Sequence, residues 1–287
     1  MKISEYENRA GEMLKGKWGL VIGTTFVANL LGGVSVEQFD VQELLEKSGV
    51  DLGNFNLLDR IFAHMSPESA KSISVALVIA GIILVVISLI FGGATKAGLC
   101  RFNKNLCYDT NPKFKDIFTH YNKIGKTIWT TIVQTLYISL WSLFGIVPGL
   151  IIMFSALELS TNIGAIFSTI LVVFGMVLMV IPAGIALIAY SMTFYILDEN
   201  PDMSAGEAVE ASKNLMDGHK KRLFVLYLNF FGILVIASII PFGIGMLFYN
   251  PYWLAAEYIF YDSIAHVDEN EKDENIVIDE SKDDILL

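Results

Sequence analysis

The sequence is poor in the residues that make active centres or covalent staples. Its 287 residues include two cysteines, Cys100 and Cys107, and four histidines, His64, His120, His219 and His266. The cysteines stand seven positions apart beside basic residues, with no histidine close by. They read as free thiols, since a metal site would lack ligands and a reducing cytosol disfavours a disulfide. No nucleophile elbow, phosphate-binding loop, metalloprotease histidine pair or dinucleotide loop is present. The expectation is no catalytic residue, no cofactor and no metal. Charge is scarce as well: 17% of residues, where a soluble domain carries about 25%. The formal net charge is −10 and the basic residues hug apolar runs, which argues against a nucleic-acid partner.

What fills the chain instead is apolar length. Ser72–Thr95, Thr127–Leu157 and Leu159–Leu197 contain no charged residue. About 20 apolar residues at 1.5 Å each cross the hydrocarbon of a bilayer. The fold class that follows is all-α: a polytopic membrane helical bundle. Six crossings are expected, near Trp18–Val34, Ile73–Ala94, Ile124–Ser155, Ile163–Leu197, Leu223–Ile240 and Ile244–Ser263. The first reads as an uncleaved span behind Lys15 and Lys17. The last is the weakest, because Asn250, Pro251 and Glu257 interrupt it. Pro148 and Pro182 lie inside the two longest runs and predict kinks, since proline removes an amide donor and clashes with the preceding turn. An alternative with eight crossings turns both prolines into tight turns, but leaves only Gly149–Leu157 for one crossing.

The basic residues orient the bundle. Seventeen of the 20 lysines and arginines fall in the N-terminal segment, the second-to-third connection, the fourth-to-fifth connection and the tail; Lys47, Arg60 and Lys71 fall opposite. Positive loops stay cytosolic, so both termini are expected inside a bacterial-type cytoplasmic membrane.

Residues 1–263 thus form the membrane domain, with an external segment at 35–72. A parallel repeat is suggested over 73–155 and 163–243, because Asn111-Pro112 and Asn200-Pro201 each open a basic connection that leads to a span ending in proline. In each connection an interfacial amphipathic helix is expected. The first is capped by Asn111 and Pro112, with Phe114, Ile117, Phe118 and Tyr121 on one face. The second has a Ser204–Glu207 capping box, a stripe of Ala205, Ala208, Val209, Ser212, Leu215 and Met216, and a stop at Gly218. Segment 35–72 carries too many large apolar residues, Phe55, Leu58, Ile61, Phe62 and Met65 among them, for a solvated linker. Residues 264–287 read as an acidic, disordered cytosolic tail.

Polar groups within apolar spans are where function is sought, because burying them is costly. Asn229, Asn250 and Glu257 are the candidates for a polar cavity or a coupling site. Lys220, Lys221 and Arg222 are candidate lipid-headgroup contacts, with a positive-inside anchor as the simpler account. Gly92 and Gly93 suit close helix packing better than phosphate binding.

The runs Tyr190–Ser204, Ala208–Ser212, Met216–Lys220 and Asn250–Tyr252, with Leu14–Trp18 and the basic segment Phe114–Lys126, resemble an uncharacterised integral-membrane family of Gram-positive bacteria, domain of unknown function 975 (DUF975). The resemblance covers about residues 5–263 and is strongest over 180–263. The segment 146–181 departs from it by its extra apolar length. The family implies membrane localisation and overall topology, and no activity. The function expected is transport or a transport-associated role, suggested by the repeat and the proline-bearing helices; the alternative is a noncatalytic partner, scaffold or immunity-type role. Membrane lipids are the expected partners, with a homodimer or another membrane protein beside them.

Overall fold

Helix begins and ends where the local chemistry directs it, and the longest helices follow the uncharged runs. The structure is a computed structural model and describes residues 2–33, 67–240 and 244–266. Among the described residues the regular elements are all helical. The external segment up to residue 66 and the acidic tail beyond residue 266 lie outside the described residues. Helix α1 (Ile3–Leu14) is amphipathic and buries Tyr6, Ala10 and Leu14. Gly16, at φ +77°, turns the chain into α2 (Trp18–Leu30). Helix α3 (Pro67–Cys107) is followed by two short 3-10 helices, Phe114–Phe118 and Tyr121–Lys123. Then come α4 (Ile124–Ile163), α5 (Ala165–Ala189), α6 (Thr193–Glu199), α7 (Ala205–Leu215), α8 (Lys220–Ile239) and α9 (Ile244–Ala265).

Among the described residues, four helical stretches are long and apolar enough to cross a membrane: Lys71–Cys107, Phe114–Ala156, Ile166–Glu199 and Lys220–Ser238. The six expected crossings are therefore not all matched. The 13 residues of α2 reach about 20 Å, short of a hydrocarbon core of about 30 Å. Its end is set by Gly32, at φ +76°. Helix α9 carries Asn250, Glu257 and Asp262 along a length that would otherwise qualify.

Pro148 and Pro182 lie inside α4 and α5, so neither becomes a tight turn, and the chain reverses instead at Gly164, at φ +81°. That removes the alternative with eight crossings. Helix α3 also runs on through Lys96, Arg101 and Lys104, placing three cations of the basic connection on helical turns. It stops where Asp109 and Asn111 take φ +51° and +59°. This left-handed geometry at Asn111 differs from the extended backbone of an N-cap. The expected amphipathic α-helix at 111–123 is accordingly replaced by the two 3-10 helices, which bury Ile117. Asp116 holds the first of them by accepting from the Lys113 amide at 2.9 Å.

Helix α7 follows its sequence closely. Ser204 Oγ accepts from the Glu207 amide at 3.3 Å, and Glu207 accepts from the Ser204 amide at 2.7 Å. Ala205, Ala208, Val209 and Ser212 are buried, and Gly218 follows at φ +79°. The Ser204 amide holds the Glu207 carboxyl below the usual carboxylate range. Its capping contribution is thus present above the unfolded-state pKa and is lost as pH falls through the depressed one. Ser204→Ala should cost about 1 kcal/mol in thermal unfolding of detergent-purified protein, a typical loss for an N-cap.

The main packed core sits where α1, the last turns of α3, α6, α8 and α9 meet. Tyr6, Phe102, Phe194, Phe230, Tyr258 and Phe260 are all but inaccessible there. Each such ring contributes roughly 2 kcal/mol by burial. The spanning stretches are different. Ile73, Val78, Ile82, Val85 and Leu89 of α3 are 38–69% exposed, and α4 and α5 pack chiefly on each other. Gly92 and Gly93 do serve close approach: a Cβ on Gly92 would lie 2.7 Å from the Gly32 carbonyl, and one on Gly93 2.9 Å from that of Thr127.

Candidate functional site

After the uncharged run that ends at Leu197, the first two charges are Asp198 and Glu199, in the last turn of α6. A carboxylate at the edge of a packed core needs donors, and both have them. Asp198, 2% exposed, accepts from Arg101 Nε at 2.9 Å and lies 2.7 Å from His120 Nε2. Arg101 also donates from Nη2 to the Asp198 carbonyl at 3.2 Å. Glu199 accepts from Lys104 Nζ at 2.8 Å and from the Tyr261 hydroxyl at 2.6 Å. His266 stands 3.6 Å from Glu199 and 3.3 Å from Asp262, which accepts from the Tyr108 hydroxyl at 2.6 Å. Burial, and then the hydrogen bond to Asp262, push the Tyr108 hydroxyl well above the usual phenol range and keep it a donor. The network ties α3, the first 3-10 region, α6 and α9 together with charge-assisted bonds.

A second cluster surrounds Glu257 on α9. Its two carboxylate oxygens accept separately, Oε2 from the Tyr195 hydroxyl at 3.1 Å and Oε1 from the Tyr227 hydroxyl at 3.3 Å. The cation acting on it is Lys96 of α3, whose ammonium lies 5.1 Å from the centre of the Phe194 ring. Tyr195 in turn stacks on Tyr261, with ring centres 5.0 Å apart, which brings the two clusters side by side.

The three sequence candidates for a polar cavity fall in different surroundings. Glu257 joins the tyrosines. Asn250, 6% exposed, lies seven residues earlier on α9, about 10 Å away along the axis. Asn229 is exposed on α8 and donates to Glu7 of α1. Of the basic trio, Lys220 pairs with Asp217 at 3.3 Å and Lys221 is exposed. Arg222 turns inward, donating to the Tyr6 hydroxyl at 3.2 Å and lying 5.9 Å from the centre of the Phe260 ring. It joins α8 to α1 and α9.

Two concavities flank these clusters. One, about 710 Å³ and open, is lined by Glu199, Asn200, Pro201, Asp202, Met203 and Glu207. The other, about 330 Å³ and nearly all apolar, lies between Trp18 and the α8–α9 pair, against Ile236, Ile240, Phe248 and Tyr252.

Sequence reasoning did not single out Asp198, Glu199, His120, His266, Lys96, Tyr195 or Tyr227. Asp198 and Glu199 carried a signal as the first charges after the longest uncharged run. The histidines carried none, because Asp198 lies 78 residues from His120 and Glu199 lies 67 from His266. Neither the curated proteins nor the solved structures give a match to this chain. The family model described as a protein of unknown function, DUF975, matches residues 1–268, and the chain belongs to that family.

Proposed function

We propose that the protein is a noncatalytic scaffold of the cytoplasmic membrane, anchored by lipid-exposed helices and presenting its packed, ion-paired end to the cytosol. The observation that carries this is the contrast in packing along the molecule. In the most apolar 18-residue windows of the four candidate spans, 0%, 11%, 11% and 22% of residues are buried. A carrier encloses its pathway between spans, and spans buried so little favour an anchor over an enclosed pathway among the described residues. Apolar surface on such helices is solvated by lipid tails and needs no protein cover. The positive-inside rule supports a cytosolic side for Lys96, Arg101, Lys104, Lys123, Lys126, Lys220 and Lys221, and with them for the packed end and both termini.

Accessibility of spin labels tests this. With single labels at each position from 73 to 89 in lipid nanodiscs, a scaffold anchor predicts high oxygen and low chelate collision at every position. A carrier predicts a 3.6-residue period, with one face shielded or wet; that result would overturn the proposal. A transport-associated role keeps one supporting observation, the Glu257 carboxylate held between tyrosines of two other helices.

A further inference from the structure

An ionisable group placed among apolar helices marks a site by default, and its partners indicate what it binds. Glu257 has two hydroxyl donors, one on each oxygen, from α6 and α8. An ionised carboxylate only accepts, so it suits two donors at once; a protonated one carries a donor on one oxygen. We propose that Glu257 is a proton-binding site that exchanges the hydrogen bond it accepts from Tyr227 for a proton, so that acidification breaks or reverses the hydrogen bond joining α8 to α9.

The balance is simple. A proton from water adds to Oε1, the new O–H bond converts that oxygen from acceptor to donor, and the Tyr227 hydroxyl must turn away or accept. Tyr227 is the member released because its bond is the longer, 3.3 Å against 3.1 Å, and because it is half-buried whereas Tyr195 is 4% exposed. The other groups facing the carboxylate fix the sign. From α3 come Lys96, whose positive charge favours the ionised form, and Cys100, which feels the same carboxylate. From α9 itself comes Tyr249. Helix α1 carries Glu7, whose carboxylate accepts from Asn229 and whose backbone carbonyl accepts from the Tyr252 hydroxyl, and α2 carries no ionisable side chain. Among the described residues Lys96 is thus the cation opposing protonation.

The test uses the full chain in nanodiscs, with 3-fluorotyrosine placed at position 227 or, separately, at 195, followed by fluorine NMR through the acid range. A sigmoidal shift at 227, larger than that at 195 and absent in Glu257→Gln, is expected. Lys96→Gln should raise the midpoint by about one pH unit, since removing an opposing cation favours the protonated acid. No titration at 227 in the unsubstituted chain, an equal titration in Glu257→Gln, or a larger shift at 195 than at 227 would overturn the proposal. Should Glu257→Gln not fold, the Lys96→Gln midpoint decides: an unchanged or lowered value rejects Glu257 as the group that titrates.

Discussion

Asp198→Ala should destabilise the protein by about 3 kcal/mol, one of the largest losses of any single substitution in it. The carboxylate is 2% exposed and stands between Arg101 and His120, at 2.9 and 2.7 Å. Removing one partner of a buried pair leaves the other charge desolvated and unpaired, at a cost of about 3–5 kcal/mol. The lower end applies because the Arg101 side chain is 37% exposed and water can reach it. The loss should be visible as a lowered midpoint in thermal unfolding followed by size-exclusion chromatography in detergent. Asp198→Asn, which keeps an acceptor for Arg101, should recover part of it. An Ala variant as stable as the parent would mean that the cluster does not hold α3, α6 and the 3-10 region together.

Gly145→Leu should separate the α4–α5 hairpin, with a loss of about 3 kcal/mol. A Cβ at Gly145 would lie 2.3 Å from the Leu178 carbonyl oxygen and 2.8 Å from Pro182 Cγ. The first neighbour is backbone and the second a ring, so neither yields as a flexible side chain would. A Cβ on Gly149, one turn on, would lie 2.7 Å from the Gly175 carbonyl oxygen, so the two glycines form a small-xxx-small seam. Larger side chains forced into such packing cost about 1–3 kcal/mol, and the upper end applies where backbone must move. The readout is the distance between spin labels at Phe144 and Val180, both exposed on the hairpin. Lengthening and broadening of that distance is the expected outcome. An unchanged distribution would show that the helices do not meet at this seam.

These two sites show what was legible in the sequence. Helix α7 was, because its cap, stripe and stop are all local: Ser204 and Glu207 are three residues apart and Gly218 ends the segment. The long apolar helices were legible from the uncharged runs alone. Their continuity through Pro148 and Pro182 was legible too, because eight crossings would have left only Gly149–Leu157 for one of them. What the sequence did not show is that Pro182 lies at a close helix–helix approach, against Gly145. The segment after Asn111 misled in another way. Its apolar spacing suits an α-helix, but Asn111 takes the left-handed conformation and the chain continues as 3-10 turns.

The clusters around Asp198 and Glu257 were the least legible. Their members come from four or more helices, and a sequence records a span's polar residues without recording which of them meet. Glu257 was reachable as a charge within an apolar helix. Tyr195 and Tyr227, which complete its site, look from the sequence like ordinary aromatic residues of two other helices.

The measurement that bears most directly on the scaffold account is labelling from the two sides of the membrane. In a Cys100→Ser, Cys107→Ser background, single cysteines at Asp202, beside the packed end, and at Glu158, near the α4–α5 tip, are treated with a membrane-impermeant maleimide. The account predicts that Glu158→Cys reacts in intact cells, whereas Asp202→Cys reacts only after permeabilisation. Labelling of Asp202→Cys in intact cells would put the ion-paired end outside and contradict it.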